Sequence, residues 1–192
     1  MWFRLAVGLM VLASCTNDDR QVANTSTIST SADDALVAAP AVVASAQMLC
    51  EGPIQQLAAP PQGYETIGDS IALETRADAF QTALSHYDNP ALRLFAKTGL
   101  LVRTDSVSEL IVPDESADHL GFEWNIPQVT THLVVGPCRG PAKWIVFPGG
   151  YYVSKSGCFN FIVRAKDGDH PVSVGIGSPC PGQTPPVGYT ES

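Results

Sequence analysis

The chain has 192 residues, a formal net charge of −8 and 45% hydrophobic residues. This length and composition suit one soluble globular domain that is large enough to bury a core. An acidic surface repels phosphate backbones, so the charge argues against a nucleic-acid partner.

The first 14 residues have the parts of a secretory signal peptide. Arg4 is their only charge, Leu5 to Leu12 form a short apolar stretch, and the small residues Ala13 and Ser14 follow it. The apolar stretch is much shorter than the roughly 20 residues that a membrane-spanning helix needs. The pattern predicts export and removal of residues 1–14.

The segment Leu12-Ala13-Ser14-Cys15 resembles the lipobox of bacterial lipoproteins. The resemblance implies that the Cys15 thiol receives a diacylglyceryl group, that cleavage occurs before Cys15, and that the new amine is acylated, typically with palmitate. Several acyl chains anchor a protein stably. Thr16 stands where the family uses aspartate for inner-membrane retention, so the resemblance favours the outer membrane, with the domain facing the periplasm or the surface. The alternative is an ordinary signal peptide with an incidental cysteine.

Residues 15–46 have the composition of a tether. Their first half is rich in Ser, Thr, Asn and Asp, and their second half is rich in Ala and Val and interrupted by Pro40. Neither half offers enough apolar surface to offset the entropy of ordering. We expect a disordered tether over 15–46, one folded domain over 47–183 and a flexible tail over 184–192.

Four further cysteines, Cys50, Cys138, Cys158 and Cys180, predict two disulfides, because an even number in an exported domain favours pairing. Zinc is the rival interpretation, but none of these cysteines has C-x-x-C spacing. Four expected strands at 132–136, 144–153, 158–166 and 171–177, run alternately up and down, bring Cys158 and Cys180 to one end. This favours Cys158–Cys180, which leaves Cys50–Cys138.

The folded domain is expected to be mainly β, as a small β-sandwich or a barrel-like antiparallel domain with a short N-terminal helical part. Ala79, Phe80, Ala83 and Leu84 recur at helical spacing and predict a helix over 76–86. A second helical turn is expected after Asn89-Pro90, ending near Gly99. The remaining expectations are strands at 64–73 and 122–125, a hairpin of 100–103 with 108–112, a bulge or bend at 148–150, and a turn at 166–169.

Two fragments resemble the catalytic blocks of GDSL/SGNH esterases. Gly68-Asp69-Ser70 is similar to their nucleophile block, and the segment 167–171 is similar to their D-x-x-H-P block. The resemblance implies Ser70 as nucleophile, His170 as base and Asp167 as its orienting group. The chain lacks the G-x-N-D block that would supply an oxyanion-hole asparagine. The residues between the fragments also resemble successive strands and not alternating strands and helices, so we expect no catalysis.

Two other clusters have a structural and a functional interpretation. The polar group Asp114, Glu115, Asp118, His119 and Glu123 could hold a metal, but its spacing matches no EF-hand loop or zinc motif, and a polar loop explains it better. The aromatic residues Trp124, Trp144, Tyr151 and Tyr152 could form a ligand platform, although cross-strand packing is the commoner role of such residues.

The sequence therefore predicts a non-enzymatic binding or structural module of the cell envelope, without a cofactor or a metal. Its expected partners are the membrane, through the lipid on Cys15, and an envelope protein or glycan. An envelope serine esterase using Ser70 and His170, and a metal-binding envelope protein, are the alternatives.

Overall fold

The computed structural model describes residues 42–86 and 91–187. This part of the chain is mainly β, as predicted, with 14 strands, a single 3₁₀ turn at Asp114–Ser116 and no α-helix. The strands are β1 (Ala46–Gln47), β2 (Gln55–Leu57), β3 (Tyr64–Ile67), β4 (Ile71–Glu74), β5 (Ala83–Leu84), β6 (Leu94–Lys97), β7 (Leu100–Arg103), β8 (Ser108–Ile111), β9 (Leu120–Trp124), β10 (His132–Val135), β11 (Trp144–Phe147), β12 (Gly149–Val153), β13 (Gly157–Ala165) and β14 (Gly168–Ile176).

The strands form three sheets. The first has the order β1-β10-β8-β13-β14, the second β2-β11-β7-β4-β3, and the third β5-β6-β12-β9. Strand pairing within the sheets is antiparallel except between β1 and β10, which run parallel. Most neighbours within a sheet are distant in sequence, so the sheets depend on one another for their formation.

One pair of bent strands connects the second and third sheets. The chain leaves β6 in the third sheet and enters β7 in the second, and it returns from β11 to β12 beside that path. The amide of Thr98 donates to the carbonyl oxygen of Gly149 at 3.0 Å and keeps the two bends in register. Strands that switch sheets through such bends make the corners of orthogonally packed β-structures. The bend expected at 148–150 is therefore a corner between two sheets.

Gly149 is required at this corner. Its φ of 151° disfavours a side chain, and a Cβ there would overlap the carbonyl oxygen of Glu123 and lie 2.7 Å from Cα of Trp124. Trp124 completes the corner by donating from Nε1 to the carbonyl oxygen of Thr98 at 3.0 Å. The close approach of β9 and β12 thus depends on the absence of a Cβ at Gly149.

A single main core lies between the sheets. Strands of all three sheets point apolar side chains into it, because alternate residues along a strand face the same side. Its centre is aromatic: the Tyr151 ring lies 4.9 Å from that of Trp124 and 6.1 Å from that of Phe161, measured between centroids. Two smaller clusters cover the outer faces, one around Trp144 and Val146 and the other around Leu92, Val129 and Tyr152.

Two disulfides join distant parts of the domain. Cys50 is bonded to Cys138, and Cys158 to Cys180, which is the pairing that the sequence favours. The strand arrangement differs in part from the one that predicted this pairing. Strands β13 and β14 do form a hairpin that brings Cys158 near Cys180, but β10, β11 and β12 lie in three different sheets and do not form a meander with it.

The helix predicted over 76–86 is wrong. The amide of Ala79 donates to Thr184 at 3.0 Å and that of Phe80 donates to Gly175 at 2.9 Å, so neither is free to bond the preceding turn of a helix. Leu84, which should face the core, is 78% exposed and lies in β5. The second helical turn is also wrong where the structure describes it, because β6 occupies residues 94–97, while its expected start lies outside the described residues.

Two strand predictions are also corrected. Residues 64–73 form not one strand but two, β3 and β4, because Gly68 and Asp69 have φ values of 55° and 46° and turn the chain between them. Strands β7 and β8 exist as predicted, but they do not pair as a hairpin, because each finds its partners in a different sheet. The connection between them crosses from the second sheet to the first.

The signal peptide, Cys15 and most of the tether lie outside the described residues. Within them, Val43 already pairs with Thr130, four residues before the expected start of the domain. At the other end, Thr184 pairs with the segment around Asp78, inside the expected tail.

Replacing Gly149 tests the corner. We expect Gly149→Ala to lower the free energy of unfolding by about 3 kcal/mol, because the new Cβ overlaps the backbone of β9. In the control Gly157→Ala the new atom makes only ordinary contacts, 3.6 Å from the Phe159 ring, and the change should stay within about 0.5 kcal/mol. Urea unfolding followed by tryptophan fluorescence measures both. Equal effects of the two substitutions would contradict the role of the corner.

Candidate ligand-binding site

A cavity of about 1200 Å³ lies where three chain connections meet at one end of the domain. These are the β3–β4 turn, the crossing from β7 to β8, and the β13–β14 turn. Lys143, which precedes β11, completes the wall. Strands β7 and β11 extend from this end to the corner at Thr98 and Gly149, so the cavity opens at the end of the core that is opposite the corner.

The walls are shaped by tight turns with unusual backbone geometry. Gly68 and Asp69 both have positive φ, and the turn is closed by the Ser70 amide, which donates to the carbonyl oxygen of Ile67 at 3.2 Å. Asp105, in the β7–β8 crossing, has a φ of 61° and donates its amide to the carbonyl oxygen of Cys138 at 2.9 Å. The Cys50–Cys138 disulfide is therefore linked to the β7–β8 crossing by this hydrogen bond.

The rim of the cavity carries equal numbers of acidic and basic side chains. Arg103 pairs with Asp69, and Arg164 pairs with Asp169 at 2.8 Å and more distantly, at 3.7 Å, with Glu109. The guanidinium of Arg164 holds the pKa of Asp169 below its usual value. Within the described part of the chain, no ion pair engages Lys143, Lys166 or Asp105. The basic rim residues are Arg103, Lys143, Arg164 and Lys166, and the acidic ones are Asp69, Asp105, Glu109 and Asp167.

The floor of the cavity contains two buried serines. Ser108 is 2% exposed and lies on the same face of β8 as the core residue Leu110. Its Oγ has no hydrogen-bond partner in the described chain, and the only other such buried side-chain atom there is the Tyr151 hydroxyl. Ser70 is also buried, but its hydroxyl donates to Ile67 at 3.3 Å. Buried polar groups are normally paired, so both hydroxyls are exceptions, and of the two only Ser108 lines the cavity.

The structure brings the two esterase-like fragments together without assembling a catalytic set. A Cβ on Gly68 would lie 3.2 Å from Nε2 of His170, so the two turns touch. His170 bonds Asp167 through Nε2 at 3.0 Å, which holds the pKa of that carboxyl below its usual value. Ser70 lines the larger cavity, whereas His170 lines a separate one of about 370 Å³. Among the described residues, no hydrogen bond joins Ser70 to His170.

The polar group and the aromatic residues singled out in the sequence lie in a turn and in the core. Asp114 and Glu115 lie in the 3₁₀ turn between β8 and β9, and His119 shares a hydrogen bond of 3.0 Å with Ser154. In the described ranges, no three His, Cys, Asp or Glu side chains lie close enough to hold a metal ion. The four aromatic residues Trp124, Trp144, Tyr151 and Tyr152 are all buried, at 2% exposure or less, and do not form a surface platform.

Ser108 was not predicted, although the sequence contains a signal for it. In the segment 108–111, alternation places Ser108 on the same face as Leu110, and a serine on a core-facing position of a strand is a polar residue where an apolar one is expected. The charged rim residues could not be grouped in this way, because they come from turns that are far apart in sequence.

Comparisons of the chain with protein-family models, with curated proteins and with solved structures found no match. In residues 42–86 and 91–187, no helix is long and apolar enough to cross a membrane.

Removing the unpaired hydroxyl should stabilise the protein. We expect Ser108→Ala to raise the free energy of unfolding by about 1 kcal/mol, because it removes a buried polar atom that has no partner. For a domain of this size, that corresponds to about 2–4 °C in Tm. Tyr151→Phe is the matched control, since it removes the other unpaired hydroxyl at the centre of the core, and it should act in the same direction. Differential scanning calorimetry measures both; a lower Tm for Ser108→Ala would show that its hydroxyl has a partner.

Proposed function

We propose that this protein is a non-catalytic binding protein of the cell envelope, anchored by lipid on Cys15, that holds its ligand in the cavity between the β3–β4, β7–β8 and β13–β14 connections. The observation that carries the proposal is the Ser108 hydroxyl, buried and unpaired on the floor of that cavity. The hydroxyl is closed to solvent in this structure, so a ligand would supply the missing hydrogen bond once the side chains over it move. Binding sites commonly lie in the mouths of barrel-like β-domains and carry a few placed polar groups.

The hydrogen bonds of the esterase-like residues support a binding role over a hydrolytic one. A serine nucleophile must give its proton to a base within hydrogen-bond reach. The Ser70 hydroxyl instead donates to the carbonyl oxygen of Ile67, and Nε2 of His170 faces Asp167. Both contacts are those of residues that stabilise tight turns.

The proposed location rests on the sequence and on cysteine usage. Structural disulfides form in oxidising compartments, and the domain contains two. Because Cys50, Cys138, Cys158 and Cys180 are bonded to one another, Cys15 remains for the lipid.

Ligand mapping by NMR tests the binding site. The full-length, ¹⁵N-labelled protein in detergent micelles is titrated with mixtures of amino acids, short peptides, sugars and phosphate esters. We expect amide shifts to change at Ser106 to Glu109, at Lys143 and at Ala165 to Asp167, and to stay constant at Lys155, at the far end of β13. Binding confined to any other surface would overturn the proposed site. Labelling of Ser70 by a fluorophosphonate probe would overturn the non-catalytic role.

Metabolic labelling tests the anchor. Expressed in a bacterium that is fed radiolabelled palmitate, the wild-type chain should incorporate the label, and its mature form should begin at residue 15. Cys15→Ser should lose the label because no thiol is left to modify, whereas the neighbouring control Thr16→Ser should keep it. Retention of the label by Cys15→Ser would contradict lipidation at this position.

A further inference from the structure

The cavity is lined by basic side chains as often as by acidic ones, although the chain as a whole is acidic. The chain has a net charge of −8 and 11 Lys and Arg residues, of which four line this one cavity. Arg103 and Arg164 are engaged by carboxylates. Lys143 and Lys166 form no ion pair within the described ranges, so their ammonium groups are free to meet a ligand.

The two lysines approach the cavity from different walls. Lys143 belongs to the wall of the second sheet, where its carbonyl oxygen accepts the amide of Thr104 at 3.0 Å. Lys166 belongs to the β13–β14 turn in the first sheet. The floor between these walls carries Ser108. Since both lysines line the cavity, an anionic group inside it would meet positive charge from two walls. The Ser108 hydroxyl, closed to solvent in this structure, would bond the rest of the ligand once the side chains over it move.

The rim acids limit how much negative charge the ligand can carry. Asp69, Asp105, Glu109 and Asp167 surround the same opening. Each negative charge that enters is attracted by two free ammonium groups but is also repelled by these carboxylates. A single carboxylate matches this balance better than a phosphate dianion or a polyanion does.

The size and lining of the cavity narrow the class of ligand. A volume of about 1200 Å³ exceeds what a single amino acid fills and is slightly above the usual range of roughly 300–1000 Å³ for small-molecule sites. No aromatic side chain is present among the lining residues that the structure describes, so a sugar ring finds no face on which to stack. A short peptide offers amide groups for the serine hydroxyls and one terminal carboxylate.

We propose that the ligand is a short peptide whose C-terminal carboxylate lies between Lys143 and Lys166, with its amides toward Ser108. This inference rests on the proposed function, because it names the ligand class of the same cavity. It excludes nucleic acids and neutral glycans as occupants.

The test compares two forms of one peptide. The full-length protein in detergent micelles is titrated calorimetrically with N-acetyl-trialanine as the free acid and as the C-terminal amide, and with inorganic phosphate. We expect the acid to bind at least about tenfold more tightly than the amide, because charge-assisted hydrogen bonds to two lysines are lost in the amide. Phosphate should bind more weakly than the acid.

Variants assign the preference to particular side chains. Lys143→Gln and Lys166→Gln should each weaken binding of the acid about fivefold or more and leave the amide unchanged. Lys155→Gln, the same charge change at the far end of β13, should alter neither form. Ser108→Ala should weaken both forms although it stabilises the fold, whereas Tyr151→Phe should weaken neither. This contrast separates a contact with the ligand from a general effect on stability.

The outcomes distinguish the two proposals. Equal binding of acid and amide, or tighter binding of phosphate, would overturn the carboxylate site while leaving a binding cavity in place. If neither peptide form binds at about 10 mM, the ligand is not such a peptide. The NMR titration then tests separately whether the cavity binds any of the other ligands. Loss of the acid preference in Lys155→Gln would show that net charge, and not the two cavity lysines, causes it.

Discussion

The paired bends at Thr98 and Gly149 are the constraint on which the rest of the domain depends. The hydrogen bond between them holds two long antiparallel paths together as they leave one sheet and enter the next. The indole N–H of Trp124 donates a hydrogen bond to Thr98 in the bend, and its ring packs against Tyr151. Closing the sheets at this corner buries the aromatic centre. The cavity opens at the other end of β7 and β11, which stay paired as far as Arg103 and Trp144. The corner and the candidate site thus lie at opposite ends of the same strands.

The sequence predicted the class of the fold better than its connections. Turn chemistry located the β13–β14 hairpin and the bend before Gly149, because both depend on nearby residues. The helix over 76–86 failed because its apolar spacing is helical while its backbone is taken up by pairing around Gly175 and Thr184, nearly a hundred residues away. Local patterns carry no information about such partners.

The candidate site shows the same division between local and distant information. The Gly68-Asp69-Ser70 and Asp167 to Pro171 fragments were visible as motifs, and they do meet in space. Their side chains, however, serve the turns in which they lie. Lys143 and Lys166 have no motif, and only the sheet order brings them to one opening. Ser108 could have been found from alternation along β8, since a hydroxyl there occupies a core position.

The Cys50–Cys138 bond also determines how the domain bears mechanical load. Strand β1 lies at the N-terminal end of the described chain, where it runs parallel to β10, and the bond follows both strands. A pull on that end would first act on the β1–β10 pairing and on Met48, and it would then meet the covalent link to Cys138. Cys138 then passes the load to Asp105, on the rim of the cavity, through one hydrogen bond. Tension applied at the N-terminal end would thus reach the walls of the candidate site while the bond keeps the rest of the domain linked.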